Sequence, residues 1–205
     1  MIGIIDYGMG NLYSLSKALE RLGYGYEFVS RPERLNGYAG LILPGVGAFG
    51  DAIANIRKLD LENAIREYAA SGRPILGICL GMQLLFEKSE EHGEHRGLAL
   101  LEGEVVRFRG DFKVPHMGWN QLQIKQRHPL LEGVRNGDYV YFVHSYHVQV
   151  GKADVLLAVT DYYQPVTAIA GRNNVFGMQF HPEKSGETGM RLLRNFAAQC
   201  EEGRS

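Results

Sequence analysis

The sequence predicts an α/β protein: an open, mostly parallel sheet with helices on both faces, lengthened by an antiparallel β extension. Three observations lead there. In the first half, short apolar runs alternate with longer amphipathic ones, the rhythm of repeated strand–helix units. From about Glu87 the texture changes to a succession of β-rich segments. Finally, 205 residues suit one domain, or one domain with a modest insertion, and no internal repeat or low-complexity stretch divides them. The expectation is a single domain over residues 1–205.

The elements follow in order. Residues 2–6 form the first strand candidate, and Asn11 can cap a helix carrying Leu12, Leu15, Leu19 and Leu22 on one face before Gly23 ends it. Residues 26–29 are a second strand. Residues 41–43 are a third, broken by Pro44-Gly45. Ala52, Ile53 and Ile56 mark a helix, and Leu61, Ala64, Ile65 and Tyr68 mark another, closed by Gly72. Residues 74–78 make a fourth strand running into Cys79 and a helix through Leu84 and Leu85. Residues 87–96 read as a charged loop. Strands are then expected at 98–108, 119–124, 139–144, 155–160, 166–170 and 175–180, before a last helix over 188–199 with Leu192, Leu193 and Phe196 on one face. The second-half strands are read as extending the sheet antiparallel.

Composition narrows the function classes. Apolar residues make up 45% and charged residues 22%, which argues against a disordered or fibrous chain. The formal net charge is -1 and no basic run is present, so nothing supplies the phosphate-binding patch that a nucleic-acid partner needs. No apolar stretch reaches the span of a membrane helix. The N-terminal run has no basic region and reaches Asp6 at once, reading as a buried strand and not a secretory leader. The two cysteines differ in setting. Cys79 lies between Ile78 and Leu80, whereas Cys200 sits beside Glu201 and Glu202 in a polar tail and reads as an exposed bystander. That is no disulfide framework, and a reducing cytoplasm is the expected location.

In open α/β sheets, active sites lie at the carboxyl ends of the strands. Three segments fall there: residues 6–11, residues 44–47 and Cys79. Gly77-Ile78-Cys79-Leu80-Gly81 is the thiol version of a nucleophile elbow, a strand turning sharply into a helix with its nucleophile strained at the bend. The helix starting at Leu80 would stabilise a thiolate, and the Leu80 N–H could donate to an oxyanion. A structural cysteine shares such apolar neighbours; the flanking glycines favour the elbow. His181-Pro182-Glu183 follows the apolar run 175–180. On an extended backbone, positions two apart face the same side, so a Glu183 carboxylate could accept from His181 Nδ1 and present Nε2 to a thiol. A solvent-facing strand end would read the same way. In Pro44-Gly45-Val46-Gly47, glycine lets backbone amides such as those of Val46 and Gly47 converge on one point, an oxyanion-hole device that a plain Pro-Gly turn also resembles.

Other polar residues read more plainly. His92 and His95 have helical spacing but a charged loop and no third ligand, so no metal site is expected. His144 and His147 read as packing or backbone-bonding groups. Trp119, the one tryptophan, fits core packing or a lid or interface position.

Taken together, the elbow with Met82-Gln83, the 44–47 loop and the distant His181-Pro182-Glu183 resemble the class I (triad) glutamine amidotransferases, a flavodoxin-like fold, over nearly the whole chain. Within that family, Asp6-Tyr7-Gly8-Met9-Gly10-Asn11-Leu12, Pro44-Gly45-Val46-Gly47-Ala48-Phe49, Pro115-His116-Met117-Gly118-Trp119-Asn120 and Tyr141-Phe142-Val143-His144-Ser145-Tyr146 resemble glutaminase subunits of imidazole glycerol phosphate synthases. The resemblance implies Cys79 as nucleophile, His181 as acid/base and Glu183 as its orienter. It further implies glutamine held by Gly45, Gln83 and the backbone of Ser145 and Tyr146, and Asn11 and Trp119 near an interface. It implies no cofactor. The implied partner is a (β/α)8-barrel cyclase of histidine biosynthesis, forming a heterodimer that receives ammonia. Two rival readings stay open: another α/β cysteine hydrolase or a different amidotransferase, such as the glutaminase of pyridoxal phosphate synthesis, and a non-enzymatic regulatory or binding protein on the same sheet.

Overall fold

The computed structural model describes residues 1–203. Its strands are β1 (Ile2–Ile5), β2 (Tyr26–Val29), β3 (Gly40–Leu43), β4 (Ile75–Ile78), β5 (Lys88–Ser89), β6 (His95–Arg96), β7 (Gly103–Arg107), β8 (His116–Gln121), β9 (Gln123–Ile124), β10 (Tyr139–His144), β11 (Tyr146–Val150), β12 (Leu156–Asp161), β13 (Pro165–Arg172) and β14 (Val175–Met178). The helices are α1 (Leu12–Arg21), α2 (Phe49–Lys58), α3 (Leu61–Ala70), α4 (Leu80–Leu84) and α5 (Gly186–Glu202).

Eight strands form the main sheet in the order β2-β1-β3-β4-β14-β13-β12-β9. The first five neighbours pair in parallel, and β13, β12 and β9 continue antiparallel. Strands β1, β3, β4 and β14 are buried along their whole length, and because successive side chains point to opposite sides, both faces of the sheet are covered there. Ile5, Leu41, Leu43 and Ile75 pack on one face against Ala52, Ile53 and Ile56 of α2 and Leu61, Ile65 and Tyr68 of α3. Ile4, Ile42, Leu76 and Ile78 pack on the other, with Leu15 and Leu19 of α1 and Leu192, Leu193 and Phe196 of α5. The expected α/β layering is therefore present.

The second half departs from the expectation in four ways. Only β13, β12 and β9 extend the main sheet antiparallel; β14 joins β4 in parallel. The remaining strands build two smaller sheets, β10-β8 and β11-β7-β5-β6. The charged stretch 87–96 is not all loop, since Lys88 and Ser89 pair with His95 and Arg96 on one side and with Glu104 and Val105 on the other. Last, Cys200 is not an exposed bystander. Helix α5 continues to Glu202, which turns Cys200 inward to 2% exposure, its thiol donating to the Phe196 carbonyl at 3.4 Å. A Cβ on Gly40 would lie 2.2 Å from that sulfur, so β3 and α5 meet closely there.

The adjacency of β4 and β14 positions the site. Ile78 is registered against Met178, so the chain leaves both strands at the same end of the sheet, with Cys79 N–H donating to the Met178 carbonyl at 2.8 Å.

Candidate active site

Cys79 sits between β4 and α4 with φ 56° and ψ -114°, a conformation that L-residues rarely adopt. The glycines around it are required by close approach: a Cβ on Gly81 would lie 1.8 Å from the Leu43 carbonyl oxygen, and one on Gly77 2.5 Å from the Gly81 oxygen. The elbow expected from the sequence is thus present. Helix α4 spans only five residues, so its dipole is small.

His181 follows β14 and is anchored by its backbone, the N–H donating to the Tyr141 carbonyl at 3.1 Å and its carbonyl accepting from Ser185 Oγ at 2.6 Å. Its Nδ1 lies 2.9 Å from Glu183 Oε1, with the two side chains 5% and 3% exposed. The backbone does not stay extended here. Residues 182–184 form a 3-10 turn, and it is the turn that brings the carboxylate back to the ring. Burial alone would lower the His181 pKa, but hydrogen bonds to Cys79 and Glu183, with their charges, push it up to about 10. A proton is therefore held on the ring at neutral pH, beside the sulfur. Glu183 Oε2 is buried without a partner.

These residues open onto a cleft of about 510 Å³ lined by Val46, Gly47, Cys79, Leu80, Gln83, Glu91, His92, Arg107, Val143, His144, Ser145, Tyr146 and His181. Val46, Gly47, Leu80, Gln83, Ser145 and Tyr146 are thus brought together with Cys79 and His181 around one cleft. Gly45 is just behind the cleft, where an added Cβ would strike the Tyr7 hydroxyl at 2.5 Å. Asn11 caps α1, its Oδ1 accepting from Ser14 N–H at 3.3 Å, and borders a small void shared with Gly45, Val46, His181 and Glu183. Trp119 is 53% exposed on β8 beside Met117 at 58%, so core packing is not its role.

One expected donor is engaged elsewhere. Leu80 N–H donates to the Gly45 carbonyl at 3.3 Å, which places an acceptor where an oxyanion would need a donor. Val46 and Gly47 are exposed at the cleft mouth.

Three contributors escaped the sequence reading. Gln179, fully buried, donates from Nε2 to Cys79 Sγ at 3.9 Å and accepts from Gln83 Nε2 at 3.1 Å. Tyr7, inside a motif singled out for other reasons, donates to the Pro44 carbonyl at 2.7 Å, and burial, reinforced by Cys79, raises its pKa well above the usual phenol range. Among the described residues, Arg107 is the only lysine or arginine lining the cleft. No local signal marks Gln179 or Arg107, because both reach the site through strand pairing. Gln83 uses its amide N–H groups on Gln179 and the Tyr146 carbonyl, the latter at 3.2 Å, which leaves its own carbonyl for an incoming donor. Among the described residues no three His, Cys, Asp or Glu side chains group so as to hold a metal ion. A buried thiol, a proton-carrying imidazole and a carboxylate in this order can attack a carbonyl carbon and protonate its leaving group.

Comparison with known proteins agrees with that chemistry. A family model described as glutamine amidotransferase class-I matches residues 3–200. The chain is 55% identical to the imidazole glycerol phosphate synthase subunit HisH of Halalkalibacterium halodurans, over 99% of this chain and 98% of that one. It is 52% identical to the HisH subunit of Aquifex aeolicus, over 97% and 96%. In fold it resembles a crystal structure of a glutamine amidotransferase, with a TM-score of 0.78 at 23% identity over 98% of both chains. PurLQS from Thermotoga maritima has a TM-score of 0.78 at 21% identity, over 96% of this chain and 97% of that one. The chain belongs to the class I glutamine amidotransferase family.

Proposed function

We propose that this chain is the glutaminase subunit of an imidazole glycerol phosphate synthase. It hydrolyses L-glutamine to glutamate and ammonia and delivers the ammonia to a (β/α)8-barrel cyclase in a heterodimer of histidine biosynthesis. The observation that carries the reading is that Cys79 and His181 line one cleft, with the buried Glu183 carboxylate behind them 2.9 Å from His181 Nδ1. Cys79 thiolate adds to the carboxamide carbon, the C–N bond breaks, and His181 gives its proton to the departing nitrogen, releasing ammonia. Water then adds to the γ-glutamyl thioester while His181 takes its proton, and the C–S bond breaks to return the thiolate and glutamate. Glu183 orients the ring.

Gln83 Oε1 and the backbone of Ser145 and Tyr146 would hold the glutamine α-substituents, with Gly45 behind them. The oxyanion would be met by N–H groups of Leu80 and of Val46 or Gly47. Because the Gly45 carbonyl occupies the Leu80 donor, that hole needs the Gly45–Val46 peptide to turn, and activity is expected to be low until a partner turns it. Asn11, Val46 and Trp119 would lie on the partner side. Ammonia in neutral water is mostly protonated and not nucleophilic, which favours a sheltered transfer. No cofactor is required, the setting is cytoplasmic, and neither nucleic acid nor membrane is a partner; no helix is long and apolar enough to cross a membrane among the described residues. The test is ammonia release with the cyclase and its ligand present. Cys79→Ala is expected to abolish it, and wild-type turnover in that variant would overturn the mechanism.

A further inference from the structure

At the cleft wall and just behind it, two buried histidines face each other across the β8–β10 ribbon, His144 at 7% exposure and His116 at 0%. His116 Nδ1 lies 2.9 Å from His144 Nε2. The outer nitrogens both meet carbonyl-type oxygens: His144 Nδ1 is 2.7 Å from the Tyr146 carbonyl, and His116 Nε2 is 2.8 Å from Asn120 Oδ1. Asn120 Nδ2 donates to the Asp161 carbonyl at 3.2 Å. The Tyr146 carbonyl also accepts from Gln83, so this line runs from the exposed strand β8 to the wall of the cleft.

Counting hydrogens makes the arrangement informative. Three contacts each need one hydrogen, and both outer ring nitrogens must carry theirs. Two neutral imidazoles carry only two, so the pair as arranged would hold a net positive charge. Its surroundings oppose one. Phe108, Phe142 and Tyr162 pack around the rings. The titratable groups acting on His144 besides its partner are His147 and His181, both of which disfavour a further cation, and Glu90 acts on His147 instead. Burial takes His144 down to about 3 and holds His116 below the ordinary histidine value, so two hydrogens must serve three contacts. A half-turn of the Asn120 amide does this. Its NH2 then donates to His116 Nε2, His116 Nδ1–H to His144 Nε2, and His144 Nδ1–H to the Tyr146 carbonyl. The displaced oxygen faces Asp161 at the half-exposed rim, where water can satisfy it.

We propose that Asn120, His116 and His144 form a neutral, one-way chain of donors that fixes the Tyr146 carbonyl, making both histidines positioning residues for substrate. The substrate half of this proposal rests on the glutaminase reading. The proton arrangement does not.

Long-range 1H–15N correlation on the full chain labelled in histidine tests the arrangement. Both rings are expected neutral with the hydrogen on Nδ1 across about pH 6 to 8. An imidazolium, or an Nε2–H tautomer on either ring, overturns the chain. Asn120→Asp supplies an acceptor only, so it should force a charged pair and bring a new titration into view; two unchanged neutral rings would contradict the proposal. In glutamine turnover with the cyclase, His144→Phe should raise KM roughly tenfold with a smaller change in kcat, the scale of one buried hydrogen bond. His144→Asn, which keeps a donor near the Nδ1 position, should recover most of it. An unmoved KM in His144→Phe sinks the positioning role. If wild-type enzyme with its partner releases no ammonia, the glutaminase reading fails instead, and the tautomers, read without substrate, still decide this one.

Discussion

Replacing Glu183 with glutamine tests the link between charge and catalysis with little change in shape. The carboxylate oxygen 2.9 Å from His181 Nδ1 is lost as a charge, while an amide oxygen can still accept there. With both side chains almost fully buried, little solvent screens that loss. Burial pulls the imidazole pKa down, and the bonds to Cys79 and Glu183 raise it to about 10; removing the Glu183 charge leaves burial opposed only by the sulfur and a neutral amide acceptor. The ring then loses its proton at lower pH, and the general acid for the departing nitrogen becomes scarce. General acid–base catalysis by a positioned group contributes about 10²–10⁴-fold. At about 1.36 kcal/mol per decade, that corresponds to about 3–5 kcal/mol of transition-state stabilisation. The assay is steady-state ammonia release with the cyclase and its ligand at several pH values. Glu183→Gln should lose about two to four decades of kcat/KM, and the alkaline limb of its profile should move to lower pH. Activity within about threefold of wild type, with an unmoved alkaline limb, would refute the argument that Glu183 holds the imidazolium.

Three further outcomes follow from the same geometry. Because His181 has a folded pKa raised from 6.5 to about 10, its contribution to stability is complete below about 6.5 and fades as pH rises toward 10. Urea midpoints should fall over that range in wild type and more shallowly in Glu183→Gln; parallel curves would contradict it. Gly81→Ala places a Cβ 1.8 Å from the Leu43 oxygen and should yield a chain that is destabilised by several kcal/mol or fails to fold, read by thermal denaturation; a wild-type midpoint would refute the close approach. Tyr7→Phe removes the 2.7 Å bond to the Pro44 carbonyl and should lower stability by about 1–3 kcal/mol in denaturant titration, with no change counting against that contact as an anchor of the 44–47 loop.

The parts of this protein legible in its sequence are those set by local chemistry. Four-residue apolar strands such as Ile75–Ile78 announce a sheet buried on both faces, and two glycines flanking Cys79 announce the bend between strand and helix. What escaped depends on distant pairing. Nothing near Lys88 indicates that it will sit between His95–Arg96 and Gly103–Arg107, and nothing near His116 indicates that it will face His144. Cys200 misled because its sequence neighbours are acidic, while the extra turn of α5 aims it at the core face that Phe196 already occupies. His181 and Glu183 were paired for a reason that differs from the actual one, a turn in place of an extended segment. The letters Pro-Gly-Val-Gly allow either orientation of the Gly45–Val46 peptide, so whether the Leu80 amide is free could be read only from the fold.

Labelling by an electrophilic glutamine analogue, followed by intact-protein and peptide mass spectrometry in the presence of the cyclase, tests the central claim most directly. One adduct per chain is expected, on Cys79, slowed by glutamine and absent in Cys79→Ala. Modification of Cys200 instead, or labelling of Cys79 at a rate that glutamine does not change, would contradict the account.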